Sequence, residues 1–207
     1  MKICIHAWYP KVIPDCVHFI QKIWPDCPYD LVVVATDTEI DVDVPVVYLG
    51  ENGNFGSNMI KFLDEHYSDE LVINWMEDYI LSRVNHARVL TAETVLRRPD
   101  VGWIRLVNRF SRCTRPFTDV EGVDFLCHVD RERYTFSQQI TMWKTDVYRQ
   151  YLRHGENSWV TEVQGSVRAN KYSGKILSVS KPVIENRNLI RKGRRDAGTV
   201  SWISENR

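Results

Sequence analysis

Two apolar runs constrain this chain most, LVVVATD at 31–37 and LVINWM at 71–76. Both are too continuous for strands with one wet face, so they read as strands buried on both sides. KICIHA, near the start, is a third run of the same kind. After it, Pro10 and Pro14 end the strand and open a helix in which Val17, Ile20 and Trp24 recur at helical spacing, with Phe19 and Ile23 beside them. VPVVYLG reads as a further strand. NFGSNMIKFLDEHY reads as a helix with Met59, Phe62 and Leu63 on its apolar face. Strand and helix in alternation imply parallel strands with crossover helices, that is, an open α/β sheet.

The second half is mixed. Val84, Ala87, Leu90 and Val95 suggest a helix, and GWIRLV, VDFLCHV, FSQQITMW and KILSVS suggest strands. KTDVYRQYLR and SWVTEVQGSVRA suggest helices. The chain has no internal repeat and no linker. Its 207 residues, 43% of them hydrophobic, suffice for one substantial core. A single domain, 1–207, is therefore expected.

The formal net charge is zero, so nothing global calls for nucleic acid or a membrane surface. Locally, Arg105, Arg109, Arg112 and Arg115 cluster, and residues 181–207 are rich in Lys and Arg. The five cysteines show no CxxC spacing and read as reduced thiols. MKICIHAWYP lacks an apolar run long enough for a signal peptide, and no stretch approaches the length of a membrane span. A cytoplasmic protein is expected.

Ligands of open α/β sheets bind beyond the carboxyl ends of the strands. Three such ends carry polar or aromatic groups: His6-Ala7-Trp8-Tyr9, Thr36-Asp37-Thr38 and Glu77-Asp78. A carboxylate pair there suits a hard divalent cation bridging to phosphates, or else simply caps the next helix. NFGSN can receive an anion at a helix entry, although it matches neither nucleotide-binding glycine motif. Trp159 and Glu162 are three residues apart and share a helix face, so Glu162 can serve as a general base or simply face water. The six histidines show no metal-ligand spacing; His128 and His154 remain as extra ligands.

Several segments in order resemble a family of small GT-A-like glycosyltransferases found in bacterial surface-polysaccharide gene sets and phages. They are WPDCPYDLVVVATD (24–37), GENGNFGSNMIKFLDEHYSDELVINWMEDYIL (50–81), YTFSQQITMWKTDVYRQYLRHGENSWVTEVQGSVRA (134–169) and the late NLIRKGR. The resemblance implies a GT-A-like open mixed sheet, with a Rossmann-like N-terminal half, flanked by helices. It implies a nucleotide-sugar-binding half at 1–107 and an acceptor-side half with a C-terminal extension at 108–207. It further implies transfer of a sugar from a nucleotide-sugar, a UDP-sugar first, to an acceptor hydroxyl with Mn²⁺ or Mg²⁺.

By position, the resemblance gives Asp78, with Glu77, the metal and the diphosphate. Ala7, Trp8, Tyr9 and Asp37 would line the base and ribose, with Asn54 and Ser57 near the nucleotide. Ser137, Gln138 and Trp159 would line the sugar and acceptor side, and Glu162 would sit over the acceptor, as the base if the reaction inverts the anomeric centre. The acceptor is either a saccharide or a hydroxymethylated pyrimidine in phage DNA; the arginine cluster and basic tail suit the second. Two other classes compete, a nucleotidyltransferase acting on sugar phosphates and a non-catalytic nucleotide-binding module. The first should carry a glycine-rich N-terminal loop, and HAWYPKVIP has no glycine.

Overall fold

β1 (Lys2–His6) lies inside the sheet because its alternate residues are claimed by apolar cores on both faces. A 3-10 turn (Pro10–Val12) and α1 (Ile13–Ile23) cross over to β2 (Asp30–Ala35), followed by β3 (Val46–Tyr48). α2 (Phe55–Glu65) then leads to β4 (Leu71–Met76). The computed structural model describes residues 1–50, 53–107, 113–129 and 134–207. β1 pairs in parallel with β2 and with β4, so that Cys4 faces Val32 on one side and Asn74 on the other. β3 extends the same parallel set.

β5 (Tyr79–Val84) leaves the main sheet, and α3 (His86–Leu96) returns the chain to β6 (Val101–Arg105). β7 (Cys113–Pro116) and β8 (Leu126–Val129) form one edge, and β9 (Thr141–Lys144) enters the middle. α4 (Thr145–Tyr151), α5 (Ser158–Ala169) and β10 (Lys175–Val179) follow. The nine-stranded order is β3-β2-β1-β4-β9-β6-β10-β8-β7. β9 is antiparallel to both β4 and β6, with Met142 opposite Ile73 and Ile104. β6 therefore runs the same way as β4. The carboxyl ends of β1, β2, β4 and β6 share one edge with the residues that enter β9.

One core, with Ile3, Ile5, Ile73 and Trp75, lies under α1 and α3. The other holds Cys4, Val72 and Trp143 under α2, α4 and α5. In it Trp143 stacks on Trp103 at 4.7 Å and on Tyr148 at 4.9 Å between ring centroids. Burial of such aromatic side chains is the largest apolar contribution here.

The C-terminal segment covers the first face. β11 (Ile184–Asn188) pairs antiparallel with β5, then β12 (Ile190–Arg191) and β13 (Arg194–Arg195) make a hairpin before α6 (Ala197–Asn206). Lys192 and Gly193, at φ 51° and 73°, form its left-handed two-residue turn. Trp202 of α6 packs on Phe19 at 4.9 Å and lies under the Arg187 guanidinium at 4.9 Å. No helix among the described residues is long and apolar enough to cross a membrane.

Three sequence readings need correction. Val84 belongs to strand β5, not to the helix after it, because residues 80–81 are buried against α1 and pair with β11. In FSQQITMW only the last three residues enter β9; the others form irregular backbone at the sheet edge. The cysteines are not all reduced: Cys4, Cys16 and Cys27 are free thiols, but Cys127 is disulfide-bonded.

α2 meets the loop between α4 and α5 without clearance. Gly56 N–H donates to the Glu156 carbonyl at 2.8 Å. A Cβ on Gly56 would lie 2.1 Å from the Arg153 carbonyl oxygen. Gly56→Ala is expected to destabilise the fold by about 3 kcal/mol, because backbone must separate from backbone; urea unfolding of the variant measures this.

Candidate functional site

The shared edge holds a cavity of about 270 Å³ at the ends of β1 and β2, closed by the start of α2. Its walls include His6, Ala7, Trp8, Asp37, Phe55 and Asn58. Trp8 and Tyr9 are 49% and 40% exposed, so this edge presents flat apolar faces to solvent. Tyr9 does not line the cavity; it stands on the same loop. Larger cavities of about 560 and 600 Å³ lie at the β7–β8 edge and around Asp64, Tyr67 and Lys144. The second is at the opposite end of β4, and its Arg149 is already paired with Asp64 at 2.8 Å. Neither collects the carboxylates of the shared edge.

The adjacent acids Glu77 and Asp78 have different placements. Glu77 is 1% exposed, and its Oε1 accepts the Tyr9 N–H at 2.6 Å. Burial pushes its carboxyl up to about 8, helped by Asp78 beside it and opposed by its own backbone amide and those of Tyr9 and Trp8. Oε2 is buried with no partner among the described residues. Glu77 thus clamps the β1 loop from beneath, and does not face the edge as a second metal oxygen. Asp78 is half-buried on the turn into β5, and its carbonyl accepts the Leu189 N–H at 2.7 Å. That bond ties the β12–β13 hairpin to the acidic turn.

Asn54 and Ser57 do not line this cavity. Asn54 Oδ1 caps α2 by accepting Ser57 N–H at 3.1 Å and also accepts Gly155 N–H at 3.1 Å. Ser57 Oγ lies 3.3 Å from the same Gly155 nitrogen. The helix entry is spent on holding the α4–α5 loop, and Asn58, one residue later, reaches the cavity instead.

On the far side of β4 the chain gathers a second carboxylate. Glu162, half-buried on α5, accepts at Oε1 from the Ser137 hydroxyl at 2.8 Å and from Gln138 N–H at 2.6 Å. Trp159, one turn earlier on α5, is 58% exposed. Ser137, Gln138 and Glu162 are thus joined by hydrogen bonds, and Trp159 stands on the same helix as Glu162. Arg105, at the end of β6, is 3% exposed and donates from Nη2 to the Tyr134 carbonyl. Burial lowers its guanidinium to about 10, and the Glu162 charge opposes this. It stays charged at neutral pH and braces the backbone that leads to Ser137.

Arg105 therefore offers no surface charge. Of the arginine cluster, Arg115 is exposed on β7, while Arg109 and Arg112 lie outside the described residues. His128 is half-buried and His154 exposed. Among the described residues no three or more His, Cys, Asp or Glu side chains gather as a metal site.

Sequence reasoning placed His6 at this edge but missed Asn74, Tyr148 and Arg105 as residues that support it. Asn74 carried a signal: a polar residue inside LVINWM must be hydrogen-bonded if the strand is buried on both faces.

Among solved structures, the chain is similar to TarS residues 1–349 of S. aureus, with a TM-score of 0.53 at 15% identity over 89% of this chain and 60% of that one. It is also similar to GalNAc-T7 solved with UDP, GalNAc and Mn²⁺, with a TM-score of 0.57 at 9% identity over 94% of this chain and 44% of that one. The fold is GT-A-like. The chain spans 60% or less of the length of these two structures. No protein-family model matches the chain, and no curated protein matches it. At such identities the likeness concerns the GT-A-like fold alone.

Proposed function

We propose that this chain is a glycosyltransferase that moves a sugar from a nucleotide-sugar, a UDP-sugar first, to an acceptor hydroxyl. One observation carries the reading: the Trp8–Asp37 cavity, Asp78 and Glu162 all belong to one edge of a GT-A-like sheet. Residues 1–107 would form the donor half, with the base and ribose in the cavity against Ala7, Trp8 and Asp37. Residues 108–207 would form the acceptor half.

The chemistry follows from the carboxylates. Glu162 takes the proton of the acceptor hydroxyl, whose oxygen bonds to the sugar C1 while the bond from C1 to the phosphate oxygen breaks. The nucleoside diphosphate leaves with the bonding electrons. Oε1 of Glu162 is held by Ser137 and Gln138, so Oε2 receives the proton. Trp159 offers an apolar face to a sugar ring.

A divalent cation fits this edge only as a partner of the substrate. Mg²⁺ is commonly held by one or two carboxylates together with substrate phosphates, and in this reading Asp78 would be that carboxylate. Such a cation, when bound, would offset the charge of the diphosphate. The hairpin adds Arg191, Lys192, Arg194 and Arg195, all exposed, starting beside Asp78. Arg191 stands directly opposite Arg194 and is itself paired with Asp196 at 3.5 Å, which offsets part of the repulsion between the two arginines.

The same hairpin favours the second acceptor reading, a hydroxymethylated pyrimidine in phage DNA, because phosphodiesters need surface cations. The buried Arg105 supports a saccharide instead. A gel shift of duplex DNA at low and high salt decides: salt-sensitive binding supports DNA, and no binding leaves the saccharide.

The test of the function is a thermal-shift screen of nucleoside diphosphates with and without Mn²⁺. A ligand at a hundred times its dissociation constant stabilises the protein by about 2.7 kcal/mol. One diphosphate is expected to raise the unfolding midpoint, and more with Mn²⁺. If none does, the reading fails.

A further inference from the structure

Between the donor cavity and Glu162 runs a buried polar chain that the reaction above does not use. His6 Nε2 lies 2.6 Å from Asn74 Oδ1. Asn74 Nδ2 donates to the Gln138 carbonyl at 2.9 Å. The Tyr148 hydroxyl is 3.0 Å from Asn74 Oδ1 and 2.7 Å from the Gln138 side-chain amide. Gln138 N–H then donates to Glu162 Oε1 at 2.6 Å. His6, Asn74, Gln138 and Tyr148 are all 5% exposed or less.

Counting protons orients every member. Asn74 gives its Nδ2 to a carbonyl, so the atom facing His6 and Tyr148 is its oxygen. His6 must then carry its proton on Nε2. Burial lowers the imidazole to about 4, so the ring is neutral and holds that single proton. Tyr148 has one hydroxyl proton, and Asn74 Oδ1 needs it. The Gln138 atom 2.7 Å away must therefore be the donating Nε2, with Oε1 turned to the buried position that otherwise leaves an amide NH₂ without a partner. The chain reads Gln138 Nε2–H to Tyr148 Oη–H to Asn74 Oδ1, which also receives His6 Nε2–H. Tyr148 is fixed in turn by Trp143 and Phe136, at 4.9 and 5.8 Å between ring centroids.

We propose that Tyr148, Asn74 and His6 are positioning residues that lock Gln138, and through its main-chain N–H the Glu162 carboxylate, to the strands ending at the donor cavity. The proposal rests on the reading of Glu162 as base. Tyr148 touches no substrate. Its hydroxyl holds one side of Gln138 while Glu162 accepts from the other.

The test compares Tyr148→Phe in the wild-type and Glu162→Gln backgrounds. In wild type, kcat is expected to fall about tenfold with the donor KM within about twofold, the mark of lost orientation and not lost binding. In the Glu162→Gln background Tyr148→Phe should cost nothing further, because the residue acts only through that carboxylate. Equal losses in both backgrounds, or an unchanged kcat, overturn the proposal.

Hydrogen exchange of the Gln138 amide provides a readout independent of activity. Tyr148→Phe is expected to speed it about tenfold relative to the Met142 amide. If wild type transfers no sugar, the function reading fails, and this measurement judges the network alone: unchanged Gln138 protection overturns it. Should Tyr148→Phe not fold, Asn74→Ala takes its place in the same comparison, with the same outcomes.

Discussion

Glu162→Gln is expected to slow transfer by about 10²–10⁴-fold, the usual contribution of a general base. Glutamine keeps an oxygen to accept from Ser137 and Gln138, so the clasp between α5 and the 137–138 segment survives. What disappears is the capacity to take a proton. The donor KM should therefore hold while kcat falls, and the variant should unfold at the wild-type temperature. Steady-state kinetics with the donor identified by thermal shift provides the measurement. A rate within a factor of about two of wild type removes Glu162 from the chemistry.

Asp78→Ala should lower transfer by about 10²–10³-fold, comparable to losing one electrostatic contact to a departing oxyanion. Its sign in binding discriminates further. With Mn²⁺, the variant should lose most of the diphosphate-induced thermal shift. With a chelator present, removing a negative charge beside a diphosphate should leave binding unchanged or tighter. The bond from Leu189 to Asp78 uses the main-chain carbonyl, so the hairpin stays in place. Equal binding by variant and wild type in both conditions removes Asp78 from the diphosphate site.

The fold was readable wherever apolar pattern alone decides structure. KICIHA, LVVVATD and LVINWM form parallel strands, and SWVTEVQGSVRA is α5 from end to end. Pattern failed where distant partners decide. ILSRV became a strand because β11, about a hundred residues later, pairs with it. Gln138 and Gln139 sit among apolar residues, as a strand would have them, yet their backbone bends to serve Glu162 and Ser137. Asn54 and Ser57 have the chemistry of an anion site, but the α4–α5 loop uses it. The two acids of the MED turn were visible as a pair. Which one turns inward depends on the Tyr9 amide, which local sequence does not reveal.

The Glu77 clamp grips main-chain amides and no side chain of the loop it holds. The attachment of that loop is thus indifferent to what Trp8 and Tyr9 are. If the cavity takes the donor base as proposed, both rings could be exchanged, and with them the preferred nucleobase, without rebuilding the scaffold beneath. The buried acid makes the exposed rings at the mouth of the cavity a replaceable part.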